Sequence, residues 1–322
     1  MLQLTVRIVS YNVRYFSHAL KGLASTATSK ARIGEALSAL RPLPDLICLQ
    51  EVEKRSLRSG VAHRGLGAET QLEAFMRHLR HAFKVEGIRC PYAAYYFPAH
   101  VYGGVRVRLY TTGLAVLVNQ EKLHVRRHNM ESPHNITHYG GAPIKKLKQT
   151  RIVAHLELED HKGHCFHVFN THLSLPSPFR RGFWKGQRMG HGPNQLDEAR
   201  SVAGFIRECA GEQSYVLCGD FNAAPASPVY QYLVDEAGLV AAQESLAHID
   251  VKKPKAFPTA GFLNLRMHLD HLFGAGVKWV DLVDTAHFDD EQGRFYGLSD
   301  HVPLIANFEL TKQASPERSV GR

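Results

Sequence analysis

No C-x-x-C pair occurs among the five cysteines, Cys48, Cys90, Cys165, Cys209 and Cys218. An odd, scattered set argues against a zinc ribbon and against a disulfide framework. Cys48 and Cys218 fall inside apolar runs, where a reduced cysteine serves as a small core residue. No apolar stretch approaches the roughly 20 residues of a membrane span. The N-terminus has no small-residue cleavage site and reads instead as a first strand, Leu4-Thr5-Val6-Arg7-Ile8-Val9, so a cytoplasmic location is expected. There is no H-E-x-x-H, no G-x-S-x-G elbow and no P-loop. His124, His128, His134 and His138 are read as part of a loop interrupted by Pro133 and Gly140-Gly141, without the partners a zinc site needs. Internal repeats and long low-complexity segments are also missing.

The composition that remains is that of an ordinary globular chain, with 44% hydrophobic and 21% charged residues. Its formal net charge of +9 favours polyanionic partners: nucleic acid, anionic lipid headgroups or phosphorylated small molecules. Apolar runs predict strands at 5–10, 45–50, 113–118, 152–158, 165–170, 215–219, 268–273 and 303–308. Helical spacing predicts helices at 29–40, 69–83, 194–209 and 229–236. Strands with helices interspersed indicate an α/β or α+β domain over residues 1–310, with sheet layers inside and helices outside. Residues 311–322 form a polar tail that is expected to be disordered.

Five clusters share one pattern: an apolar run ends in a polar side chain that burial would penalise unless it is partnered. Ile8-Val9-Ser10-Tyr11 ends at Asn12, and Leu46-Ile47-Cys48-Leu49-Gln50 ends at Glu51. Phe166-His167-Val168-Phe169 ends at Asn170 and His172, and Val216-Leu217-Cys218-Gly219 ends at Asp220 and Asn222. Leu269-Asp270-His271 and Ser299-Asp300-His301 complete the set. Any one of these residues could be a simple cap or turn former. Four acids, three amides and two histidines recurring in this way are poorly explained as independent turns. Carboxylate and amide oxygens without thiolates suit a hard divalent ion, Mg²⁺ or Mn²⁺, with Glu51 as ligand, Asn12 nearby and Asp300 as a further ligand. Histidines can donate to charge developing on a phosphoryl group, and a carboxylate can fix the tautomer of such a histidine. Asp220 could orient or deprotonate an attacking water. The chemistry implied is metal-assisted hydrolysis of a phosphate ester.

In order along the chain, Ser10-Tyr11-Asn12, Leu49-Gln50-Glu51, Asn170-Thr171-His172-Leu173, Gly219-Asp220-Phe221-Asn222 through Pro225, Asp270, and Ser299-Asp300-His301 through Pro303 resemble the motifs of the endonuclease/exonuclease/phosphatase superfamily. The resemblance spans residues 8 to about 309. It implies a four-layer α/β sandwich, two mixed β-sheets packed face to face with helices outside, and a site at one edge between the sheets. It also implies that Glu51 is the main metal ligand, helped by Asn12 and Asp300, and it groups Asn170 with the catalytic residues. Asp220 and Asn222 would position water and phosphate, His172 would contact the phosphate, and His301 would stabilise the transition state or act as acid/base with Asp270 orienting it.

The loop from Leu175 to Pro193 interleaves aromatics with cations: Phe179, Arg180, Arg181, Phe183, Trp184, Lys185 and Arg188. Aromatics stack on bases while cations follow a phosphate backbone, so Arg180, Arg181, Trp184, Lys185 and Arg188 are candidate substrate-binding residues for nucleic acid. The same composition suits an anionic membrane surface. The expected function is a metal-dependent nuclease. A sphingomyelinase or phospholipase-C-like activity, a phosphoinositide phosphatase, and an inactive phosphate-binding module are the alternatives.

Overall fold

Successive apolar residues of each interior strand enter different cores, and this alternation sets the architecture. The computed structural model describes residues 4–14, 25–55, 70–102, 110–138, 150–176, 188–246, 257–262, 265–283 and 292–311. On strand β1 (Thr5–Asn12), Ile8 joins the cluster between the two sheets and Val9 joins the cluster under the helices. On β2 (Leu46–Arg55), Cys48 faces the first cluster, whereas Ile47 and Leu49 face the second. In the other sheet, Val168 of β8 (Cys165–His172) and Val216 of β9 (Tyr215–Asp220) enter the shared core. Phe169 and Leu217 enter a third cluster beneath a helix. Each fully buried Val, Leu or Ile stabilises the fold by about 1.5–3 kcal/mol relative to exposure. Strands covered on both faces therefore read as continuous apolar runs.

The remaining strands of the first sheet are β3 (Tyr92–Tyr102), β4 (Tyr110–Asn119), β14 (Val277–Val283) and β15 (Leu304–Leu310), in the order β14-β15-β1-β2-β4-β3. The second sheet runs β10-β13-β9-β8-β7-β5, with β6 also paired to β7. Its other strands are β5 (Leu123–His128), β6 (His134–Asn135), β7 (Ile152–Asp160), β10 (Val240–Ala241) and β13 (Asp270–Ala275). A short hairpin, β11 (Ala260–Phe262) with β12 (Leu265–Met267), stands apart from both sheets. The pairs β1–β2 and β8–β9 are parallel, and the other pairs are antiparallel, so both sheets are mixed.

Helices α1 (Ser25–Ser38) and α2 (Gln71–Val85) cover the first sheet through Ile33, Leu37, Phe75, Leu79 and Phe83. A capping box starts α2: Thr70 Oγ1 accepts from Glu73 N, and Glu73 Oε2 accepts from Thr70 N. Helix α3 (Pro193–Ala210), with proline in its first turn, covers the second sheet through Val202 and Ile206. The expected helix at 229–236 is a short α-helix, α4 (Pro228–Gln231), that widens into a π-turn over Tyr232–Glu236. The architecture is a four-layer α/β sandwich, as the resemblance implied. His124 and His128 stand in β5 and His134 in β6, where a loop was expected. No helix of the described residues is long and apolar enough to cross a membrane.

Candidate active site

Strand register brings the polar strand ends to one edge. In the parallel pair β1–β2, Asn12 stands opposite Gln50; in β8–β9, His172 stands opposite Asp220. Antiparallel β13 then places Asp270 opposite Asp220. The two sheets meet there through side chains. Asn12 Nδ2 donates to Asp220 Oδ2 at 3.0 Å and faces Glu51 Oε1 at 3.3 Å, and Ser299 Oγ donates to the Asn12 carbonyl at 2.8 Å. Glu51 sits at φ 55° and Asn222 at φ 47°. Asparagine tolerates that left-handed conformation, whereas for glutamate it costs about 1–3 kcal/mol. That strain turns the Glu51 carboxylate off the strand and into the cleft beside His172. Gly219 is required for another reason: a Cβ there would meet the Thr171 carbonyl oxygen at 2.0 Å, so only glycine lets β9 approach β8 this closely.

His301 is held by Asp270, whose Oδ2 lies 2.8 Å from His301 Nδ1 and also accepts from Thr259 Oγ1 at 2.7 Å. The Thr259 hydroxyl oxygen accepts in turn from the main-chain N–H groups of Leu269 and Asp270. His301 Nε2 is thereby left facing Asp220 Oδ2 at 3.7 Å. His172 Nε2 lies 3.5 Å from the same oxygen and accepts from Asn222 Nδ2 at 3.2 Å. That bond assigns a neutral ring with its proton on Nδ1. Asn222 N donates to Asp220 Oδ1 at 2.9 Å, which fixes the second carboxylate oxygen.

The electrostatics follow from burial and close like charges. Burial alone would lower His301, but the carboxylates of Asp270 and Asp220 outweigh it and hold the imidazole well above its ordinary value. Burial and the nearby Asp270 carboxylate raise Asp220, against the pull of His301. Burial also raises Glu51, with His301, Arg151 and the Asn12 amide opposing. His172 is lowered by burial, then by Arg151 and His301. One oxygen or nitrogen each from Asp220, Asp270 and His301 lies within 4.8 Å of the others. These atoms are better read as a hydrogen-bonded relay than as a metal cage, because Asp270 Oδ2 is already shared by His301 and Thr259.

The structure brings Asn12, Glu51, His172, Asp220, Asn222, Asp270, Asp300 and His301 to this edge, and the partners of Asn170, Asn12 and Asp300 bear on the roles anticipated from sequence. Asn170 was expected among the catalytic groups. It is fully buried between the sheets instead, where its amide accepts from Gln50 Nε2 at 2.8 Å and donates to the carbonyls of Leu49 and Ala115. Asn12 was expected as a metal ligand. Its nitrogen faces the two carboxylates and its Oδ1 accepts from Arg14 N at 3.0 Å. Asp300, expected as a further ligand, gives Oδ2 to Arg14 Nη1 at 2.7 Å and keeps Oδ1 near Ser299 Oγ at 3.4 Å. Arg180, Arg181, Trp184 and Lys185 lie outside the described residues, and Arg188 is exposed just before α3.

Sequence reasoning passed over Thr259, Arg14 and Arg151. For Arg151 a signal was available. In an antiparallel pair the residue before one strand lies beside the residue after its partner, and the β7–β8 register puts residue 151 next to the stretch that follows His172.

Sequence comparison with curated proteins gives no match. Solved structures share the fold at low identity. The human Nocturnin catalytic domain, determined with a bound sulfate anion, has a TM-score of 0.62 at 19% identity, covering 96% of this chain and 97% of that one. ANGEL2, a 2',3'-cyclic phosphatase, has a TM-score of 0.64 at 16% identity, covering 96% of each chain. An endonuclease/exonuclease/phosphatase from Bacteroides vulgatus has a TM-score of 0.59 at 18% identity, covering 96% of this chain and 100% of that one. The cluster that begins at Asn12 on β1 and ends at His301 before β15 is nearly coextensive with residues 9–301, which match the Endonuclease/Exonuclease/phosphatase family, and the chain belongs to that family.

Proposed function

We propose that the protein is a divalent-metal-dependent hydrolase of phosphate esters, acting on nucleic acid or nucleotide substrates. The observation that carries this reading is the continuous chain Asp270–His301–Asp220–Asn12–Glu51, which joins both sheets and sets the His301 imidazole, held by Asp270 at 2.8 Å, 3.7 Å from the Asp220 carboxylate.

A cation fits the donor set. The Glu51 carboxylate is largely desolvated and accepts from a neutral amide at 3.3 Å, so burial of its charge is poorly compensated. Its neighbours are oxygens and imidazoles rather than thiolates, as Mg²⁺ or Mn²⁺ prefers. Glu51 and Asp300 would hold the ion while Asn12 orients Glu51. Bound there, it supplies Lewis-acid neutralisation of the phosphate.

The chain's own groups do the remaining work. Asp220, raised toward neutrality, can take a proton from the attacking water while Asn12 and Asn222 fix its oxygens. His301, kept protonated and oriented by Asp270, donates from Nε2 to the oxygen on which charge develops. Asn222 acts through its neighbours: its amide nitrogen holds His172 Nε2 at 3.2 Å and the Leu173 carbonyl at 2.9 Å, which fixes the His172 ring beside the site. The preference for nucleic acid or nucleotide is supported by the net charge of +9 and by the similarity in fold to ANGEL2, described as a 2',3'-cyclic phosphatase. A parallel panel of RNA, plain and abasic DNA, nucleotides, sphingomyelin and phosphoinositides tests the choice. Turnover of a nucleic acid or nucleotide supports it, and turnover restricted to the lipids overturns it.

A further inference from the structure

Beside Glu51 a small cleft opens between the sheets, bounded by Leu114 on β4, His172 on β8 and Thr150, Arg151 and Ile152 at the entry to β7. Arg151 is fixed there through its main chain. Its N–H donates to Thr137 Oγ1 at 2.7 Å, and its carbonyl accepts from Ile136 N at 3.0 Å. The buried Nε has no hydrogen-bond partner, and no carboxylate pairs with the guanidinium, among the described residues. Glu51 and Arg151 line the same cleft, yet the two form no ion pair among the described residues.

A half-buried, unpaired cation costs stability, since a charge taken from water needs a partner. The cleft wall therefore carries a guanidinium with no protein acceptor among the described residues, beside Glu51 and His172. Guanidinium geometry matches two oxygens of one phosphate, which an ammonium cannot engage in the same way. We propose that Arg151 is a phosphate-binding residue, its guanidinium gripping non-bridging oxygens of the substrate phosphate beside Glu51. As a substrate contact this rests on the hydrolase reading. As an oxyanion site it stands alone, and inorganic phosphate is a sufficient probe.

The test compares the wild-type protein with R151Q and R151K. Calorimetry gives the Kd of inorganic phosphate on the EDTA-treated proteins. Competitive inhibition by phosphate of bis-p-nitrophenyl phosphate turnover gives Ki on the Mg²⁺-loaded proteins. Losing a charge-assisted bidentate contact predicts that Kd and Ki weaken about tenfold or more in R151Q. In R151K, which keeps the charge but not the fork, they weaken about threefold or more. KM should rise more than kcat falls. Phosphate binding within twofold of wild type in folded R151Q overturns the proposal, as does full affinity in R151K if R151Q does not fold. Wild-type turnover with Ki unchanged in the variants sinks this inference alone. Arg151-dependent phosphate binding without any wild-type turnover sinks the hydrolase reading and leaves the inference standing.

Discussion

A single carboxylate orients His301. Asp270 Oδ2 engages Nδ1 at 2.8 Å and takes the Thr259 hydroxyl at 2.7 Å, which leaves Nε2 for the site. Asp270→Asn should therefore lower kcat by about 100-fold or more while KM moves only a few-fold, with the circular dichroism spectrum unchanged. A loss confined to KM would argue against a transition-state role. Asn170 makes the contrasting case. Asn170→Leu removes three hydrogen bonds between the sheets, to Gln50 Nε2 and to the Leu49 and Ala115 carbonyls; Gln50 Nε2 keeps Ser10 Oγ and the Cys48 carbonyl, and each buried group left unsatisfied costs about 1–3 kcal/mol. Urea denaturation should show that loss of stability. The strand-end residues were legible in the sequence because a polar side chain closing an apolar run needs a partner. Their individual roles were less so: Asn12 ends β1 and faces two carboxylates, whereas Asn170 lies two residues before the end of β8 and is spent between the sheets. Thr259 and Arg151 precede strands rather than end them, and only the register of the partner strand brings them into play.

Elements were legible according to their place in a sheet. Every strand anticipated from sequence is interior, covered by neighbours on both sides, and reads as an apolar run. The strands passed over include β3, β14, β5 and β10, which are the sheet edges. Edge strands carry solvent-facing polar residues, as in Leu123-His124-Val125-Arg126-Arg127-His128, and β3 contains Pro98 at a bulge. The face of β7 and β8 beneath α3 carries a buried histidine pair. His155 Nε2 and His167 Nδ1 are 2.9 Å apart, and His155 stacks on Phe169. Burial lowers His155 from its ordinary 6.5 to about 4, and His268 likewise to about 4. Between those values the unfolded chain binds more protons than the folded one, so stability rises with pH across that window and is lost as pH falls through it. The thermal midpoint should drop as pH is lowered from 7 toward 4. His155→Gln, whose amide can still donate to His167, should make that drop shallower. An unchanged acid profile would count against a buried neutral His155.

At the scale of the whole molecule, two sheets from distant parts of the chain converge on one edge, with Asn12 and Asp220, 208 residues apart, in direct contact. The charge of +9 predicts that KM for a nucleic acid substrate rises with salt, by about tenfold from 50 to 200 mM if two phosphates are contacted. A salt-independent KM would point to a small or uncharged binding surface. As proposed, the converged edge is a metal-assisted phosphoester-hydrolysing site centred on Glu51. The most direct test is turnover of bis-p-nitrophenyl phosphate by wild-type protein and Glu51→Gln, each with EDTA and with added Mg²⁺ or Mn²⁺. Wild-type turnover should be abolished by EDTA and restored by the metal, and folded Glu51→Gln should lose about 100-fold or more of its activity. Turnover that survives both EDTA and Glu51→Gln would contradict it.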